Sequence, residues 1–281
     1  MIAVDETLLN RLRSIAERAG AVILEIYAQS EAVEVREKAD SSPVTAADEA
    51  AEAVILEALA ALTPEIPVVS EEAFEAGKIP VVGDLPFWLV DPLDGTKEFL
   101  SRNGEFTVNI ALIAEGQPVA GVVHAPALSR TWLGATGQGG EGQGLEGRGL
   151  EGRALEIDGR AAPKAISVRP TPAEGATVVA SRRHGSAEDL GPFLGGRAVA
   201  SEVSAGSSIK FCLVACGEAD LYPRFGRTME WDTAAGQAVL MAAGGEVIEL
   251  DGQPFTYGKP GFENPHFVAR GWKGGTYTKE R

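Results

Sequence analysis

The run Phe87-Trp88-Leu89-Val90 passes without a break into Asp91-Pro92-Leu93-Asp94-Gly95-Thr96, and no other stretch restricts the fold as much. Four consecutive large apolar residues leave no polar face, the pattern of a central strand covered on both sides. Covering both sides needs helices or another sheet, so the run predicts an α/β (α+β) layered fold. The strand is expected to end at Val90 and to present Asp91 and Asp94 around a turn stiffened by Pro92. Carboxylates three residues apart in such a turn can converge on one point, where a divalent cation relieves their repulsion. Oxygen-only ligands favour Mg²⁺ or Mn²⁺ over zinc. Gly95 lets the backbone approach a phosphate closely, and its N–H and that of Thr96 can donate to phosphate oxygens. The competing reading is an ordinary acidic turn with Gly95 at positive φ.

Periodicity supplies the surrounding elements. Leu8, Leu12, Ile15, Ala19, Val22 and Ile26 form one apolar stripe, which predicts a helix over 5–29. A second helix should start near Thr45, with Thr45 and Asp48 resembling a capping box, and should end at Thr63-Pro64. Residues 66–70 read as a short strand, 106–113 and 118–124 as a hairpin around Glu115-Gly116, and 130–135 as another strand. In the second half, strands are expected at 177–180, 220–225 and 246–250, and helices at 186–194, 207–219 and 231–243. The last of these stops at Gly244-Gly245. The small residues after Asp232 should let that helix approach the sheet closely. The pattern divides the chain into 1–165 and 166–281.

The segment 137–153 contains Gly-Leu-Glu-Gly-Arg twice, at 144–148 and 149–153. Such a unit has little apolar area to bury and reads as an exposed loop expansion. A phosphate-cradling glycine loop is the alternative, but the Lys-Ser/Thr ending and the strand–helix context are missing.

Forty acidic residues against 25 basic ones give a net charge of −15, which repels nucleic acid but not a small anion in a locally positive, metal-loaded pocket. The two cysteines, Cys212 and Cys216, cannot build a disulfide framework. Their i, i+4 spacing suggests buried thiols on one helix face. The first residues lack a basic stretch followed by an apolar one, and no run approaches the ~20 apolar residues of a membrane span. The expectation is a cytoplasmic protein, with peripheral association at the inner membrane left open.

Three further acidic spots accompany the Asp91–Asp94 pair. Glu71-Glu72 follow a short strand, and taken alone read as a solvated loop. Asp48 and Asp232 occupy first turns of helices, where capping is the default role. In chain order the set is Asp48, Glu71, Asp91/Asp94 and Asp232, three of these positions lying at element ends.

This constellation resembles the inositol monophosphatase superfamily of metal-dependent, lithium-sensitive phosphatases over almost the whole chain. The resemblance rests on residues 38–48, on Pro67-Val68-Val69-Ser70-Glu71-Glu72, on Trp88 through Phe99 and on Asn103 through Ile113. It continues in residues 206–215, in Leu221-Tyr222-Pro223-Arg224-Phe225-Gly226 and in Trp231-Asp232-Thr233-Ala234-Ala235-Gly236. Asp-Pro-Leu-Asp-Gly-Thr together with Trp-Asp-Thr-Ala-Ala-Gly is specific for the superfamily. The Lys97-Glu98-Phe99 and Tyr222-Pro223-Arg224-Phe225 extensions favour its 3′(2′),5′-bisphosphate nucleotidase branch. The 137–153 expansion departs from the pattern.

The resemblance implies an alternating αβαβα sandwich and a site holding two or three Mg²⁺ ions, with Mn²⁺ a possible substitute. Glu71, Asp91 and the Leu93 carbonyl would bind one ion, and Asp91, Asp94 and Asp232 a second. A third would sit near Glu71 or Glu72. Most of these ligands fall in 1–165, whereas Asp232 and the substrate-recognition residues fall in 166–281. Thr96, bonded to Asp48, would orient and deprotonate the attacking water. Asp48, Thr96 and Glu71 are the catalytic candidates.

Substrate contacts would come from Gly95, Thr96, Asp232, Ser207, Lys210, Arg224 and His184. Read without the resemblance, Lys210 is a solvated cation, Arg224 a surface ion pair and His184 an exposed loop residue. The implied reaction converts adenosine 3′,5′-bisphosphate to AMP and phosphate, with 3′-phosphoadenylyl sulfate as a second substrate. That places it in sulfur metabolism. An inositol or fructose phosphatase, and a non-catalytic phospho-ligand sensor, are the alternatives. The partner is a small phosphate ester, and the assembly a monomer or homodimer.

Overall fold

A computed structural model describes residues 2–28, 35–37, 43–83, 85–136, 145–146, 152–180, 194 and 198–271. In chain order, β1 (Ile2–Ala3) and helix α1 (Glu6–Ala28) precede β2 (Val35–Glu37), β3 (Pro43–Thr45) and helix α2 (Ala46–Leu62). Strand β4 (Val68–Ser70) and the short helix α3 (Glu71–Glu75) lead to β5 (Phe87–Asp94) and α4 (Thr96–Leu100). Next come β6 (Thr107–Ala114), β7 (Gln117–Ala125), β8 (Arg130–Ala135), β9 (Leu145–Glu146), β10 (Arg153–Asp158) and β11 (Lys164–Ala165). The chain continues with β12 (Ala176–Ala180), β13 (Val199–Ser204), α5 (Ile209–Ala215), β14 (Leu221–Arg224), α6 (Glu230–Ala242), β15 (Glu246–Glu249) and β16 (Phe267–Arg270).

A seven-stranded sheet has the order β11-β10-β8-β7-β6-β5-β4 and is antiparallel except for the β4–β5 pair. A five-stranded mixed sheet has the order β13-β12-β14-β16-β15. Alternate residues of β5 serve two cores, as the period-two pleat requires. Trp88 and Val90 join a core with the buried stripe of α1 and with Ala47, Ala51, Ile55 and Leu59 of α2. Phe87 and Leu89 join the opposite core, shared with α5, α6 and the inner face of the second sheet. A small third cluster, including Leu194, covers the outer face of that sheet. The layers therefore run helices, sheet, helices, sheet, as expected for this fold class. Trp88 enters its core without an orphan donor, because its indole N–H donates to Thr63 Oγ1 at 2.9 Å.

Several local expectations change. The strand does not stop at Val90 but continues through Asp94. The helix expected over 207–219 spans only Ile209–Ala215. Ser207 at φ 43° lies in the left-handed region, and Gly217 at φ 69° stops propagation at the other end. Cys216 thus caps α5 while Cys212 lies within it, both as free thiols. Burial pushes the Cys212 thiol well up and that of Cys216 up to about 12, which removes their reactivity. The repeat segment is not all loop. Its Leu145–Glu146 pair parallel with β1, and Arg153 opens β10. The rest of it, and the helix expected over 186–194 apart from Leu194, lie outside the described residues.

Helix α6 rests on the first sheet through small residues. Gly121 and Gly134 are cross-strand partners on β7 and β8. A Cβ on Gly134 would stand 2.5 Å from Val239 Cα, and one on Gly121 2.8 Å from Ala238 Cβ. Glycine at both positions is what permits this approach, and it fixes the height of the helix above the sheet.

On the opposite face His124 of β7 is buried against α1. A Cβ on Gly20 would stand 2.7 Å from its ring, which accounts for a glycine inside a helix at a cost of about 1 kcal/mol. The His124 Nδ1 pairs with Thr131 Oγ1 at 2.8 Å, and burial lowers the imidazole pKa from 6.5 to about 4. The ring is neutral when folded but protonates in the unfolded chain below pH 6.5. Stability therefore falls as pH drops from 6.5 towards 4, by roughly 3 kcal/mol from this group. Urea melts across that window should show a shallower pH dependence for His124→Gln than for the parent.

Candidate active site

The acidic site is built at the ends of parallel neighbours. Ser70 of β4 pairs with Val90 of β5, so Glu71 and Asp91 emerge side by side. In a regular strand Asp91 and Asp94 would point to opposite faces. The register of β5 against β6 instead shifts between Asp91, opposite Asn109, and Asp94, opposite Thr107. That bulge contains Pro92, tolerated there because it need not donate to the ladder. The Leu93 N–H donates to Asp91 Oδ1 at 3.1 Å, and the Leu93 carbonyl accepts from Thr96 Oγ1 at 3.5 Å. The resemblance implied that this hydroxyl would bond Asp48. Gly95 at φ 90° makes the sharp exit into α4 that only glycine adopts without strain.

One cavity of about 250 Å³ is lined by Glu71, Asp91, Leu93, Asp94, Gly95, Thr96, Ser207, Lys210, Arg224 and Asp232, with Arg227 to Thr228 at its side. Asp48 does not line it but is wholly buried close enough to repel Asp91. Glu72 falls outside the lining, and His184 outside the described residues. Burial first, then the charges of Glu71, Asp94, Asp232 and Asp48, hold the Asp91 carboxyl well above the usual range. Asp232 is raised likewise by burial, Asp94 and Glu71. Asp94 is raised by burial against the opposing pull of Lys210.

Such a set is costly as bare anions, and its all-oxygen chemistry suits a hard divalent cation. Among the described residues, only Glu156, Cys216 and Glu218 bring three ligand atoms within 4.8 Å of one another, and there Arg130 already bridges the two glutamates.

Asp232 also does the helix-capping work read from its position, accepting the Met229 N–H at 2.8 Å at the start of α6. Lys210 is not a solvated cation. It is buried, donates to the carbonyls of Ser207 and Ala205, and its ammonium is pushed down to about 8, mainly by burial. Half-buried Arg224 donates to the Arg227 carbonyl at 3.0 Å. The two cations thus stand at the wall of an acidic cavity, suited to a ligand anion.

Two residues of this site carried no role in the sequence reading. Ser208 Oγ lies 2.7 Å from the Asp232 carbonyl and 3.1 Å from Asp94 Oδ2, and accepts from Asn109 Nδ2 at 2.9 Å. Asn109 also reaches Asp94, at 3.4 Å. Together they tie the α6 backbone to the end of β5. A polar Asn inside the apolar run 106–113 was the available signal.

The fold and the clustered carboxylates define a class, and comparison with known proteins agrees. The signature of the Inositol monophosphatase family matches residues 5–278, so the chain belongs to that family, whose enzymes are metal-dependent. It is 45% identical over 261 residues to the 3′(2′),5′-bisphosphate nucleotidase CysQ of Escherichia coli K12, covering 92% of this chain and 98% of that one. The CysQ of Haemophilus influenzae is 35% identical over 277 residues, 96% of this chain and 95% of the relative. The crystal structure of CysQ from Bacteroides thetaiotaomicron superposes with a TM-score of 0.71 at 34% identity, over 95% of this chain and 98% of that one.

Proposed function

We propose that this chain is a Mg²⁺-dependent 3′(2′),5′-bisphosphate nucleotidase that removes the 3′-phosphate of adenosine 3′,5′-bisphosphate, and of 3′-phosphoadenylyl sulfate. The observation that carries the reading is one cavity in which Glu71, Asp91, Asp94 and Asp232 lie beside Lys210 and Arg224. Glu71, Asp91 and the Leu93 carbonyl would hold one Mg²⁺, and Asp91, Asp94 and Asp232 a second. A third would sit near Glu71 or Glu72, and Mn²⁺ would substitute. When bound, these cations supply Lewis acidity that lowers the pKa of water and stabilises charge on the leaving oxygen.

The chain's own groups do the rest. The Thr96 hydroxyl would orient the water, and Asp48 would receive its proton once that hydroxyl turns from the Leu93 carbonyl towards Asp48. The Gly95 and Thr96 N–H groups hold the transferred phosphoryl oxygens. The new bond joins water oxygen to phosphorus as the bond to the ribose oxygen breaks, and positioning with electrostatics carries most of the rate. Ser207, Lys210 and Arg224 hold the phosphate that is not cleaved, Lys210 and Arg224 by charge-assisted hydrogen bonds.

Among the described residues no helix is long and apolar enough to cross a membrane. The substrate is proposed to be a small phosphate ester, which fits the cations at the cavity wall, and the setting to be cytoplasmic.

Phosphate release from adenosine 3′,5′-bisphosphate and inositol 1-phosphate, measured side by side with Mg²⁺, tests the reading. The nucleotide should be strongly preferred, EDTA should abolish turnover and lithium should inhibit it. The double variant Lys210→Ala with Arg224→Ala should lose about two to four orders of magnitude in kcat/KM for the nucleotide, from two contacts worth about 1.5–3 kcal/mol each. Equal turnover of both esters would favour the inositol phosphatase alternative.

A further inference from the structure

Glu71 stands on a helix that does not hold itself in place. Helix α3 has five residues, none of them fully buried. A helix that short does not persist on its own local bonds. Ser70 sits at its N-cap with extended backbone, φ −117° and ψ 155°, yet its side chain makes no capping bond. The Ser70 hydroxyl instead donates to Oε1 of Glu52, and the Ala73 N–H donates to the same oxygen at 3.1 Å. Ala73 is the third residue of the helix, the position whose N–H an N-cap side chain ordinarily satisfies.

The cap is therefore supplied from α2, one helical turn beyond Asp48. At the far end of α3, Phe74 packs against Trp231 with ring centroids 5.1 Å apart and planes tilted by 55°. Trp231 is the neighbour of Asp232. A carboxylate suits a helix N-terminus, but here it adds another negative charge close to a set that already repels itself. A neutral acceptor would cap at less electrostatic cost. What Glu52 provides is reach, because its oxygen crosses from α2 to α3.

We infer that Glu52 is a positioning residue that sets Glu71 against Asp48 and Asp91, and through Glu71 tunes how tightly the cavity holds its cation. This rests on the reading above that Glu71 is a cation ligand. Neither Ser70 nor Glu52 lines the cavity, so a geometric effect on ions would pass through α3, and an effect of the Glu52 charge through space is told apart by the Gln variant.

Calorimetric titration of the full chain with Mg²⁺, and with Mn²⁺ as a second probe, tests the inference. Glu52→Ala should weaken binding about tenfold. Glu52→Gln keeps an acceptor oxygen and should stay within about threefold of the parent. In turnover assays the Mg²⁺ concentration at half-saturation should move with the Glu52→Ala affinity, while KM for the nucleotide at saturating Mg²⁺ stays put. Unchanged Mg²⁺ affinity in Glu52→Ala overturns the inference. So does equal weakening in the Ala and Gln variants, which would make the charge itself the cause. Ser70→Ala removes one of the two bonds and serves if Glu52→Ala does not fold. It should weaken Mg²⁺ by about two- to threefold, and no change would overturn the inference. A parent protein that takes up no Mg²⁺ would instead sink the underlying reading, so the two failures are told apart.

Discussion

Asp91→Asn should cut turnover by about three orders of magnitude and at the same time raise the melting temperature of the metal-free protein. The first effect follows from the shared role proposed for this carboxylate. A Lewis-acid contribution of several kcal/mol is at stake, and each 1.36 kcal/mol is a factor of ten. The second follows from burial. Asp91 is 1% exposed and its carboxyl is held well above the ordinary range by burial and by Glu71, Asp94, Asp232 and Asp48. For an acid whose pKa is raised on folding, the unfolded chain ionises first. Stability is then lost as pH rises from about 4 through the raised value. An amide at position 91 does not take part in that loss. The variant should therefore unfold at a higher temperature than the metal-free parent near pH 7. Mg²⁺ should stabilise the parent and leave the variant nearly unmoved. Calorimetry with and without Mg²⁺, beside a phosphate-release assay, checks both. A variant that loses activity and stability together would mean that Asp91 only supports the fold.

Gly134→Ala should produce the second large effect, from a residue far from any reacting atom. The added methyl would stand 2.5 Å from Val239 Cα, 2.7 Å from the Ala238 carbonyl oxygen and 2.8 Å from the Val239 nitrogen. All three are backbone atoms, so no side chain can rotate out of the way and the whole of α6 must move. Overpacking of this kind costs about 1–3 kcal/mol. Because Asp232 sits in the first turn of α6, the shift also reaches the site. A displacement near 1 Å in a positioned group costs about a hundredfold in rate. The expected result is a lower urea midpoint, together with a kcat that stays depressed at temperatures where the variant is fully folded. A normal kcat under those conditions would separate the height of α6 from catalysis.

Much of this architecture is legible because burial leaves a period in the sequence. The α1 stripe carries one, while the run at Phe87–Val90 and the strands flanking Glu115-Gly116, buried on both faces, show instead as largely apolar stretches. Strand β13 shows neither, since Val-Ala-Ser-Glu-Val-Ser lies mostly exposed at a sheet edge. The start of α5 was misread because the left-handed backbone at Ser207 cannot be inferred from a serine.

The site divides in the same way. Asp91 and Asp94 are close in sequence and readable as a local pattern. Asp48, Glu71 and Asp232 each look like caps or solvated turns until the fold gathers them. Asn109 stood out only as a polar residue in an apolar run, and Ser208 was invisible for a stronger reason. Ser208 bonds Asn109 across 99 residues and Asp94 across 114, and nothing local marks a hydroxyl with distant partners.

That hydroxyl also says something about modularity. The carboxylate on β5 and the backbone beside Asp232 meet at a single serine, so the reactive centre belongs to a seam rather than to either sheet. Neither half could be transplanted with its chemistry intact. A split or circularly permuted form would work only as far as its pieces found each other again, and inherited changes on one side of the seam would have to be matched on the other.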